Sequence, residues 1–135
     1  MNLYTALRHR LANYSGLSAL VGTRVYAVKL PQNVTYPAVT YQIVGGLPRT
    51  HLMGGDDALA APRVQVSAWD TSLTDAISVA DQIKAALQDY SGTMGGDAGI
   101  TVQHIFLESE QIDIYDSEAE VHNVAQDFLI WREES

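Results

Sequence analysis

Four histidines, His9, His51, His104 and His122, are the side chains best suited to bind a metal or to act as a general base. Their spacing argues against both roles. No HxH or HxxxH pair brings two imidazoles to one face of a strand or helix, so each is expected to stand alone. The acidic run ESEQIDIYDSEAE, Glu108 to Glu120, has enough carboxylates to attract calcium, but it lacks the DxDxDG spacing that wraps a loop around the ion. Glu108 and Glu110 also have the spacing of an acid and base pair, yet nothing around them supplies an apolar pocket or an orienting partner. A solvated hairpin or loop is the expectation. The serines lack a GxSxG elbow. SGTMGGDAG, residues 91–99, has no GK[ST] ending and precedes a strand where a phosphate loop must open a helix, so it reads as a connector. There is no cysteine, which removes thiol nucleophiles, zinc thiolates and disulfides. No metal or cofactor site and no catalytic residue is expected.

The elements that would position any site follow from periodicity. Leu3, Leu7, Leu11 and Tyr14 make one helical stripe, ended by Ser15 and Gly16, and Leu17, Leu20 and Val21 suggest one further turn stopped at Gly22. A longer second helix starts at Ser72, where Asp75 three residues on resembles a capping box. Its stripe is Leu73, Ile77, Ala80, Ile83 and Leu87, and it should end near Tyr90. Strand patterns run over 24–28, 38–44, 63–69, 100–107 and 121–131. The second of these places Val39, Tyr41 and Ile43 on one face, and the third places Val64, Val66 and Ala68. Tyr41, Trp69, Phe128 and Trp131 read as sheet-face core, and Asp127 as an acid answered across strands by Arg63. Gly45 to Pro62, with Gly54, Gly55, Asp56 and Asp57, suits the tip of a long hairpin or a mobile loop.

A chain of 135 residues is expected to form one domain, 1–135, around one core. The fold class is α+β: a mostly antiparallel sheet with two main helices on one face and long loops. The other face then needs water or a partner. The formal charge of −8 disfavours tight phosphate binding, and no apolar run reaches the length of a membrane span, so a soluble cytoplasmic chain is expected.

The stretch RVYAVKLPQNVTYPAVTYQIVGG, residues 24–46, is the most distinctive and holds no reactive residue. Val21, Gly22, Arg24 and Tyr26, then LPQNVTYPA at 30–38, then RVQVSAW running straight into the second helix and DFLIW near the end, together resemble the tail completion, or tail terminator, proteins of long-tailed bacteriophages. The resemblance runs in order over nearly the whole chain. It implies a structural virion protein of the tail and neck, present in host cytoplasm during assembly, that forms a homo-hexamer ring on the head-proximal end of the tail tube. Its partners would be the tail tube protein and the head connector or stopper. DNA would pass through the ring without specific binding. Another neck or tail tube ring component, or a small-ligand-binding α+β domain, are the alternatives. Under the ring reading the two long excursions carry assembly contacts. Arg49, His51, Met53, Asp56 and Asp57 are the candidates in the first, and Glu108, Glu110, Asp113 and Asp116 in the second.

Overall fold

In a computed structural model, residues 3–48, 59–96, 99–117 and 120–132 are described. The chain opens with two helices, α1 (Leu3–Asn13) and α2 (Ser15–Val21), followed by strands β1 (Val25–Ala27), β2 (Ala38–Pro48) and β3 (Leu59–Asp70). After them come helix α3 (Leu73–Leu87) and strands β4 (Gly92–Met94), β5 (Ile100–Asp116) and β6 (Val121–Arg132).

Each helix forms where its apolar stripe has a sheet or another helix to cover it. Leu3, Ala6, Leu7 and Leu11 of α1 are buried. The single turn expected after it is a complete short helix, α2, which buries Leu17 and Val21. Gly22 follows at φ 58 and returns its N–H to the Ser18 carbonyl, a conformation that glycine adopts without a Cβ clash. The Ser72 hydroxyl accepts from the Asp75 N–H at the start of α3, as the capping motif requires. The buried face of α3 is Ala76, Val79, Ala80, Ile83, Ala86 and Leu87, so the stripe lies about a residue from its expected centre and Ile77 is only half-buried. The helix stops at Leu87, before Tyr90, because Gln88 is extended and Asp89 turns at φ 62.

The six strands lie in the order β1-β2-β3-β6-β5-β4, parallel only between β1 and β2. β6, the last of these strands in chain order, therefore sits inside the sheet. Register puts Val39 opposite Ala68, Tyr41 opposite Val66, Val64 opposite Phe128, and Ile105 opposite Ile130. These residues form one core with the helices, in which Leu7, Leu11, Leu17, Ile83, Leu87, Phe128, Ile105 and Ile130 are fully buried. Each contributes about 1.5 to 3 kcal/mol relative to exposure.

Two segments read as connectors are strands. The acidic run from Glu108 continues β5 as far as Asp116, and only residues 117–120 lie between β5 and β6. Register shifts at Val102/His104, Leu107/Ser109 and Gln111/Ile114 explain the misreading. Each extra residue moves later side chains to the opposite face, which erases the period of two. Similarly, Gly92–Met94 within the glycine-rich stretch is β4, paired with Ile100 to Val102. The β2–β3 hairpin is longer than its pattern indicated, with pairing from Gly45 opposite Arg63 to Pro48 opposite Leu59.

Candidate assembly surface

The chemistry-bearing side chains are scattered. His104 Nε2 lies 3.0 Å from Asp89 Oδ1 at the surface, and the His122 ring packs 4.9 Å from that of Tyr115. His9 lines a cavity of about 220 Å³ with Arg10, Asn13 and Tyr90. Arg10 is engaged there already, donating to the Ala86 carbonyl at 2.8 Å with its guanidinium 4.3 Å from the centre of the Tyr90 ring. Among the described residues no three His, Asp or Glu side chains gather as a metal site requires. Nor is any described helix long and apolar enough to cross a membrane.

Two of the acidic candidates on β5, Glu108 and Glu110, have partners within the subunit. Glu108 accepts from Arg63 Nε and Nη2 at 3.1 and 3.2 Å, a two-pronged pair that holds the guanidinium pKa above its ordinary value, by hydrogen bonding first and charge second. Arg63 thus answers Glu108, whereas Asp127 takes its hydrogen bond from the Ser109 hydroxyl at 3.0 Å. The bulge between Leu107 and Ser109 brings Glu108 toward β3, and no strand alternation announces that shift. Glu110 faces the helices. Its carboxylate accepts from Gln126 Nε2 at 2.6 Å and lies 4.0 Å from Lys84 Nζ. Gln126 is fully buried and also donates to the Ala80 carbonyl at 3.1 Å, so it ties β6 to both α3 and β5. Asp113 and Asp116 lie farther along β5, with Asp116 opposite Val121. Arg49, His51, Met53, Asp56 and Asp57 fall outside the described residues.

Of the aromatic residues read as core, Phe128 and Tyr41 are buried, while Trp69 and Trp131 are half-buried. Trp69 donates to the Thr40 hydroxyl at 2.9 Å on the sheet face away from the helices. Burial raises the Tyr41 pKa, against a smaller opposing effect of Arg8 and with Tyr4 adding to the rise.

Sequence reasoning missed the exposed apolar residues. Leu20, Val28 and Val44 stand out from α2, the end of β1 and β2, and Phe106 and Tyr115 from β5. In sequence Leu20, Val28, Val44 and Phe106 each adjoin another apolar residue, and the strand order shows that Val28, Val44, Phe106 and Tyr115 lie toward the two edges of the sheet. Both flanks also carry open backbone. Among the described residues, β1 covers β2 only from Val39 to Tyr41, and β4 covers β5 only from Ile100 to Val102. A sheet edge of that kind accepts a further strand. The arrangement offers two lateral surfaces for protein contact.

Among solved structures, the fold is similar to a chain in the virion of a native gene transfer agent particle, with a TM-score of 0.72 and 17% sequence identity, covering 98% of this chain and 95% of that one. No curated protein matches the chain. The family model described as Tail completion protein gp17 matches residues 5–133, which reaches into every helix and strand described above. The chain belongs to the tail completion protein gp17 family.

Proposed function

We propose that this structural tail protein closes into a ring at the head-proximal end of a phage tail tube, ends tube growth there, and presents a surface to the head connector. The match to the tail completion family over residues 5–133 carries the reading. The fold shared with a chain of a gene transfer agent virion agrees with it. Two flanks with open backbone and exposed apolar side chains suit a subunit that repeats head to tail until rotation closes the ring, a homo-hexamer on this reading. The charge of −8 suits a wall along which DNA slides without being held. The chain performs no reaction and takes no cofactor. Its partners are further copies of itself, the tail tube protein and the connector.

Electron microscopy of particles made with and without the chain tests this. Loss of the protein should leave heads unjoined from tails, or tails of uncontrolled length, and a ring should be visible at the upper end of wild-type tails. Normal joined particles in its absence would overturn the reading.

A further inference from the structure

The sheet face away from the helices carries a polar row. Gln42 pairs with Gln65, Gln65 with Asp127 and Asp127 with Ser109, so two amides, a carboxylate and a hydroxyl lie side by side across β2, β3, β6 and β5. Two residues back along β6 on the same face, Ala125 stands opposite Ser67. Side chains this small leave room beside the carboxylate. A cavity of about 360 Å³ opens there, lined by Gln65, Ser109, Ala125 and Asp127. Asp127 is short of donors: its Oδ2 accepts from the Ser109 hydroxyl at 3.0 Å, and its Oδ1 is occluded with no hydrogen-bond partner. A carboxylate has about four acceptor sites, and one neutral donor leaves most of its charge unanswered. Arg63 on the same face directs Nε and Nη2 to Glu108. One guanidinium against two carboxylates leaves this part of the face negative. Asn123, farther along the same face of β6, also holds a buried Oδ1 with no partner.

Resting on the tail-joining reading above, we propose that this cavity is a socket for an arginine side chain of a different virion protein laid against the sheet face. The charge complementarity is direct. A guanidinium brings the N–H donors that Asp127 lacks, with others left for the Gln65 carbonyl and the Ser109 hydroxyl oxygen, while its apolar stem covers Ala125. A divalent metal fits poorly, because one carboxylate, one amide and one hydroxyl fall short of the about six oxygen ligands it takes. The direction of the socket separates its occupant from a ring neighbour. A copy that adds a strand at a sheet edge pairs with backbone groups in the plane of the sheet, whereas these side chains stand perpendicular to that plane. The face is thus free for a tube or connector subunit while the edges serve the ring.

Nuclear magnetic resonance of the purified chain, titrated with a glycine-arginine-glycine tripeptide blocked at both ends, tests the socket. Saturable shifts should centre on Gln65, Ser109, Ala125 and Asp127. The citrulline counterpart keeps the shape without the charge and should bind at least about tenfold more weakly. That comparison uses the wild-type chain, so it stands even where a substitution disturbs the fold. Asp127→Asn should weaken the arginine peptide by a similar factor, and Ala125→Leu, which fills the cavity and keeps the carboxylate, should abolish its shifts. Equal binding of the two peptides, or no saturable shift at these residues, would overturn the socket. In particles, each substitution should lower the yield of joined, infectious virions by at least about tenfold. Full yield from both would overturn the proposal and leave the ring reading intact. Self-association of the purified chain that Asp127→Asn abolishes would assign the socket to a second copy and overturn it too. Particles that assemble normally without any copy of the chain would instead remove the ring reading itself.

Discussion

Val28 combines a β-branched side chain with φ 71, a conformation in which Cβ crowds the following carbonyl, and its side chain is 53% exposed. The subunit gains little packing from it, so Val28→Gly should raise the stability of the free chain by about 1 kcal/mol in denaturant melts. If the residue packs against a neighbouring copy, the same change should reduce particle joining although the subunit is more stable. A lowered melting midpoint would show that the local backbone is not strained. Tyr41 makes a separate prediction through burial. Its folded pKa lies above the ordinary 10.0, so its contribution to stability is complete below that value and is lost as pH rises through the folded pKa. Wild type should lose more stability than Tyr41→Phe when melts are carried from neutral to strongly alkaline pH. Parallel losses would place the phenol in water.

Helix α3 is the element most directly constrained by its neighbours. Leu87 is fully buried, and Leu87→Ala should cost about 2 to 4 kcal/mol, while Asp81→Ala on the exposed face should stay within about 0.5 kcal/mol. Equal losses in urea melts would contradict the helix orientation. Gln82, which lies on the polar side of the sequence pattern, is a poor control. Its Oε1 occupies the space a Cβ at Gly16 would need, so it helps seat α2 on α3. α1, α3, β2, β3 and β6 were legible from the sequence, because their apolar residues recur with the helix or strand period. The distal half of β5 was not, since three register shifts reset its alternation. β4 was hidden by its glycines and its length of three residues. At the surface, carboxylate identities could be read but their partners could not. The pairing of Glu108 with Arg63, and of Glu110 with Gln126, depends on which strands become neighbours.

For the whole molecule, the paired arms of β2 and β3 end at Pro48 opposite Leu59. Deleting Met53 to Ala58 should therefore leave the thermal melt nearly unchanged while particles accumulate with unjoined heads and tails, as seen by electron microscopy. Normal infectious yield from that variant would exclude the segment from assembly. The position of β6 has another consequence, this time for the nascent chain. The strand that zips β3 to β5 leaves the ribosome after both of them, so Phe128, Ile130 and Gln126 reach the core only after those two strands have been made. Until then β3 and β5 have no partner between them, and contacts of such long sequence separation close slowly. Folding of the sheet is thereby deferred until β6 has been made. A chain that stops before β6 lacks the strand that joins the two halves of its sheet, so such products stay out of the growing assembly.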